Sequence, residues 1–128
     1  MPPPVFKGTD PSVWSPEDFF VAAAASCLAV TLTGLAEREG LTLRQLHVSA
    51  DGVAGVRDDD HFGFRRIEMR LAIVTEPGQE ALALELAHKA EEACLVTTSL
   101  DLPVSLEVEV ATTEPGSRDD PVAYAESI

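Results

Sequence analysis

A chain of 128 residues, 45% apolar and 24% charged, is long enough to bury a core and has the balance of a single soluble globular domain. Its formal net charge of −13 speaks against a nucleic-acid partner, because gripping a phosphate backbone requires a basic patch. Two cysteines without a CxxC, and three scattered histidines without ligand spacing, predict no metal; neither a Gly-rich phosphate loop nor a G-x-S-x-G elbow suggests a cofactor or an acyl enzyme.

In chain order, 1–14 is a proline-rich stretch expected as an extended arm, with turn chemistry at Lys7-Gly8 and Asp10-Pro11. Ser15 to Gly40 predicts one long helix. Ser15 caps it, Pro16 suits the first position, Asp18 completes an S-x-x-D capping box, and Gly40 ends it in a left-handed conformation. Phe19 to Leu32 is apolar or small nearly all round, so this helix is expected to be buried on several sides. That run is shorter than the ~20 residues of a membrane span and no signal peptide precedes it. A cytoplasmic protein with reduced thiols and no membrane partner is expected.

Leu41 to Val56 is strand-like, with a phase shift between Leu43 and Leu46 that hints at a bulge. A polar loop, Arg57 to Asp60, leads to Phe64–Thr75, where Ile67, Met69, Leu71 and Ile73 alternate with polar residues. The short loop makes the two strands an antiparallel pair. Glu76-Pro77-Gly78 stops the second strand. A helix then follows from about Gln79 to Ala93, with Leu82, Leu86, Ala90 and Ala93 as its apolar face. Leu102 to Ala111 alternates as a third strand, and 112–128 is a polar tail expected to be loosely ordered. The pattern is α+β: an antiparallel sheet packed around a central buried helix and a second helix, in a single domain over 1–111. Three strands cover such a helix poorly, so either a second subunit supplies the missing cover or strands have been lost, and both point away from a stable monomer.

Taken alone, Cys27 is a small buried hydrophobe, and the same holds for Cys94. The segments around them say more. S-P-E-D-F-F-V-A-A-A-A-S-C, Ser15 to Cys27, resembles the first cysteine motif of the OsmC/Ohr family (osmotically induced protein C and organic hydroperoxide resistance proteins), with Cys27 ten residues after Glu17. Ala87 to Leu100, with A-C-L-V-T-T-S-L at its end, resembles the second motif. The resemblance runs from about Pro4 to Val110.

The resemblance implies an intertwined homodimer and a thiol-dependent peroxidase. Cys27 would be the attacking thiol, Cys94 the resolving thiol that closes a Cys27–Cys94 disulfide, and Glu17 the carboxylate of the site. An organic hydroperoxide would be the substrate and a dithiol the reductant. Phe19, Phe20 and Leu28 are the candidate apolar walls. A member of the fold that keeps both thiols but acts only as a binding or structural dimer is the alternative.

This chain departs from the family pattern at two points. The family's site carries an arginine from N-terminal strands, whereas here no arginine precedes Arg38 and those strands are not recognisable; Lys7 is the candidate substitute. Arg65, Arg66 and Arg70 are further cations, expected on the wet face of a strand. Leu95 also stands where the family usually has proline. Cys27 lies mid-helix, beyond the reach of the helix dipole, so its pKa is expected at or above that of a free thiol. Ten residues of straight helix span ~15 Å, so Glu17 and Cys27 should not touch.

Overall fold

A computed structural model describes residues 14–113 and the backbone of 123–127. Helix α1 spans Pro16–Glu39 and is bounded as its sequence predicts. The Ser15 side chain accepts from the Asp18 N–H at 3.2 Å, and Asp18 accepts from the Ser15 N–H at 2.9 Å. Gly40, at φ 78°, closes the other end in the left-handed region. By length and apolarity alone α1 could cross a membrane, but its buried residues pack into the core of the domain instead.

Strands β1 (Leu43–Val56) and β2 (Phe62–Thr75) form the expected antiparallel pair, with a register shift between Leu43 and Gln45 where the phase change is read. Strand β3 (Val104–Thr112) and strand β4 (Ala123–Ser127) complete a four-stranded sheet in the order β3-β2-β1-β4. The sheet is mixed, not antiparallel throughout: β3 runs parallel to β2, and β4 parallel to β1. Alternation in β3 reported a half-wet strand but carries no information on direction. The tail is likewise corrected, since part of it, Ala123–Ser127, is a strand on the β1 edge.

Helix α2 spans Glu80–Ala93 and a short helix α3 spans Leu95–Thr98. The buried face of α2 is Ala83, Leu86, Ala87 and Ala90, rotated from the predicted one, and Ala93 is exposed. Gln79, just before α2, holds several element ends together. Its amide accepts from the Thr42 N–H at 3.0 Å and donates to the Gly40 carbonyl at 3.0 Å. Because that side chain is engaged across the chain, it does not cap α2 itself.

The core lies between one face of the sheet and the two long helices. Leu46, Val48, Ile67, Met69, Leu71 and Ile73 meet Leu28, Leu32 and Leu86 there. Each such aliphatic side chain contributes about 1.5–3 kcal/mol on burial. Gly52 on β1 is required by this packing, because a Cβ there would come within 2.5 Å of the Phe64 ring and 2.7 Å of Val21. Phe64 in turn stacks on Phe20 at 4.9 Å between ring centroids, tying the first turns of α1 to the sheet.

One expectation about α1 fails within the chain. Its buried residues (Val21, Ala24, Ala25, Leu28, Ala29, Leu32 and Ala36) form a single stripe, not a girdle. The opposite side, through Phe19, Ala23, Ser26, Val30 and Thr33, faces outward. Phe19 is 61% and Val30 69% exposed, which is unusual for a helix of this apolarity.

Candidate active site around Cys27 and Cys94

Cys27 lies on α1 between its buried and open sides and is half-buried; Cys94 is fully buried at the break between α2 and α3. Extended backbone at Cys94 (ψ 106°) separates the two helices and redirects the chain. The chain is thereby turned so that α3 packs against α1 and the Cys94 thiol becomes one of the groups that lower the Cys27 pKa. Both thiols are free, so the two are reduced.

The start of α3 completes the surroundings of the sulfur. The first N–H groups of any helix have no partner inside it. Here those of Val96 and Leu95 favour the charged form of Cys27. The Thr31 hydroxyl, one turn along α1, donates to the Cys27 carbonyl at 2.7 Å and also acts to lower the Cys27 pKa. Burial pushes the Cys27 thiol up. The Val96 N–H, the Cys94 thiol, the Thr31 hydroxyl and the Leu95 N–H outweigh it and bring the thiol below its ordinary range. The expectation of a pKa at or above the free value is thus corrected. The lowering comes from the amides of a different helix, which the position of Cys27 along its own helix does not reveal.

This makes a pH-dependent prediction. Iodoacetamide labelling of Cys27, located by peptide mass spectrometry, should rise through a midpoint below that of a free thiol, ~8.5. A lowered folded pKa also stabilises the fold at alkaline pH. The contribution is complete above the unfolded thiol's pKa and disappears as pH falls through the folded value. A labelling midpoint at or above that of an unfolded control would contradict this arrangement.

The other predicted residues are dispersed. Glu17 sits in the first turn of the same continuous helix, ten residues from Cys27, or ~15 Å along the axis, and the two do not meet. Its Oε2 is buried without a hydrogen-bond partner among the described residues. Leu28 is fully buried in the core, so it is not a wall open to substrate. Phe19 is exposed and packs on Trp14 at 5.3 Å, while Phe20 stacks on Phe64, so the three do not form one pocket. Lys7 lies outside the described residues.

The sheet arginines stay on the wet face, as expected. Arg70 is paired with Asp51 at 2.8 Å, a hydrogen bond that raises its pKa, and Arg66 with Glu68 at 3.1 Å. Arg44 pairs with Glu76, and Arg57 donates to the Phe64 carbonyl at 3.1 Å. Residues missed by sequence reasoning are Thr31 and the pair Leu95-Val96. Thr31 was legible as the i+4 neighbour of a candidate thiol. Backbone amides leave no mark in a sequence. Among the described residues no group of His, Cys, Asp and Glu is placed to hold a metal.

Three comparisons bear on identity. The uncharacterized protein YmaD of Bacillus subtilis (strain 168) is 30% identical over 101 residues, covering 76% of this chain and 67% of that protein. An OsmC-like protein of unknown function from Vibrio cholerae superposes with a TM-score of 0.70 at 22% identity, covering 77% of this chain and 66% of the other. An organic hydroperoxide resistance protein from Elizabethkingia anophelis gives a TM-score of 0.65 at 19% identity, covering 87% and 77%. The chain thus spans about two thirds of the length of the first two relatives. At these identities the structural matches speak to the fold. The sequence itself matches the family model for OsmC-like proteins over residues 8–109, which covers both cysteine segments, and the chain belongs to that family.

Proposed function

We propose that the protein is a thiol peroxidase that reduces organic hydroperoxides and acts in peroxide resistance. The observation that carries this reading is the packing of the Cys94–α3 turn against α1 with both thiols free, where Cys94 and the Val96 and Leu95 amides act to lower the Cys27 pKa. The Cys27 thiolate attacks the terminal oxygen of the hydroperoxide. An S–O bond forms, the O–O bond breaks, and the leaving alkoxide takes a proton from solvent to become the alcohol. Cys94 then condenses with the Cys27 sulfenic acid, forming the disulfide and releasing water. A dithiol reductant returns both to thiols by exchange.

The fold neighbours described as organic hydroperoxide resistance proteins support the substrate class. Leu95, 75% exposed, and Val30 provide apolar surface near Cys27 that suits an alkyl group better than a small peroxide. Glu17, whose buried oxygen has no hydrogen-bond partner among the described residues, would take a cation; Lys7 is the one we propose.

The test is intact mass. One equivalent of an aryl-alkyl hydroperoxide should remove two hydrogens from the reduced protein within the mixing time. Oxidation no faster than that of a free thiol would leave the alternative, a non-catalytic dimer that binds or supports another molecule.

We further propose that the protein works as a homodimer through the open side of α1. A second copy is the occupant that could bury Phe19, Ala23 and Val30 against an equivalent apolar face. Sedimentation velocity is expected to give a dimer for the wild type and a monomer for Val30→Glu. A monomeric wild type, or a dimeric variant, would refute the interface.

A further inference from the structure

Near the turn of the β1–β2 hairpin, Gly55 and Gly63 are cross-strand partners. Their missing side chains leave bare main chain on one face of the sheet, and the residues two places on, Arg57 and Arg65, project from that same face. Each arginine stem lies over the glycine of the other strand. A Cβ on Gly63 would come within 3.3 Å of the Arg57 Cδ, and one on Gly55 within 3.1 Å of the Arg65 Cδ. Glycine serves close approach here. Arg57 is held further by its hydrogen bond to the Phe64 carbonyl.

The facing wall comes from the segment between α3 and β3. The Pro103 carbonyl accepts from the Ile67 N–H at 3.0 Å, two residues beyond Arg65, which brings Asp101, Leu102 and Pro103 alongside β2. These segments enclose a cavity of about 390 Å³, within the range of small-molecule sites. Both signs of charge line it, Arg57 and Arg65 against Asp58, Asp59 and Asp101. They are not spent on one another. Arg65, Asp58 and Asp101 make no side-chain hydrogen bond or ion pair among the described residues, and Asp59 is turned to His61, whose N–H it accepts at 3.1 Å.

We infer that this cavity binds a small zwitterion of the amino-acid class, its carboxylate on the two arginines and its ammonium on Asp101. An anion alone would meet three carboxylates, and a cation alone two guanidiniums. A molecule carrying both charges finds a partner for each. The planar guanidinium forks suit a carboxylate, which accepts two parallel charge-assisted bonds from such a group. Asp101 is the acceptor for the ammonium because it stands on a different segment from the arginines and is not engaged within its own turn, as Asp59 is. Leu102 and Pro103 supply apolar surface for a short aliphatic side chain. Neither cysteine lines the cavity, so this binding is separate from the thiol chemistry.

Norvaline is the probe, titrated into the isotope-labelled protein and followed by nuclear magnetic resonance, with pentanoate (the carboxylate alone) and butylamine (the ammonium alone) beside it. Norvaline is expected to shift the amide signals around Arg57, Arg65 and Leu102 to saturation. Each half-molecule should bind roughly ten-fold more weakly. Arg65→Gln and Asp101→Asn alter exposed side chains, so both variants should fold, and each should weaken norvaline roughly ten-fold. Arg70→Gln, at a residue that does not line the cavity, should leave the affinity unchanged. No saturable shift with norvaline, pentanoate bound as tightly as norvaline, an unchanged affinity in Arg65→Gln or Asp101→Asn, or an equal loss in Arg70→Gln would overturn the proposal.

Discussion

Serine in place of Cys27 is expected to lower hydroperoxide consumption by roughly a thousand-fold or more, while leaving the fold and its melting temperature nearly unchanged. A hydroxyl is almost wholly protonated at neutral pH and is a poor nucleophile toward peroxide oxygen, so the loss is that of the reacting atom itself. The site is half-buried, so a serine hydroxyl there is not cut off from hydrogen-bond partners. Alcohol formation, followed by chromatography with a dithiol in excess, reads the effect. Activity within ten-fold of wild type would place the chemistry elsewhere.

Alanine in place of Cys94 should give a different failure. The first oxidation still occurs, but Cys27 is left as a sulfenic acid, gaining one oxygen in intact mass instead of losing two hydrogens. Excess peroxide then drives it to the sulfinic acid. Two further effects follow from the position of Cys94. Its thiol acts to lower the Cys27 pKa, so the variant's thiol should titrate higher and its first step should slow severalfold near neutral pH. Cys94 is also fully buried, so the lost sulfur leaves a small cavity worth about 1–2 kcal/mol. Alanine is preferred to serine, whose hydroxyl would need a partner in that apolar setting. Sustained turnover by this variant with dithiol alone would remove Cys94 from the resolving role.

Legibility of the chain varied with how far each feature depends on side chains. The limits of α1 could be read because Ser15, Asp18 and Gly40 each perform their capping chemistry with their own atoms. The inward face of β2 could be read because Ile67, Met69, Leu71 and Ile73 obey a strict period of two. The direction of β3 could not, since a half-wet strand alternates whichever way it runs. Helix α3 was invisible, as four residues are too few for a period and Val96, Thr97 and Thr98 favour strands. Strand β4 was hidden in a polar tail. At the site, the nearness of Cys27 and Cys94 was implied by the family resemblance and not by any spacing. The donors of α3 belong to the backbone, and the scattering of Phe19, Phe20 and Leu28 over different sides of α1 reflects a periodicity that apolar character alone conceals.

The alanines buried on α1 and α2, two helices that pack together, have a mechanical consequence. Ala24, Ala25 and Ala29 on one helix and Ala83, Ala87 and Ala90 on the other are all buried. Alanine has no side-chain rotamers, so nothing in such a seam can flex to widen or narrow it. Wherever such alanines face one another, two helices approach until main chain nears main chain, and the contact acts as a rigid spacer. Cys27 is anchored to one side of that spacer, and Cys94 closes the other at the end of α2. A bond between the two sulfurs would form across a gap of fixed width, and the frame would have little room to answer it. Electrons could thus enter and leave the sulfur pair while the domain's outline stays the same, so any molecule resting on the open side of α1 would feel no change of shape.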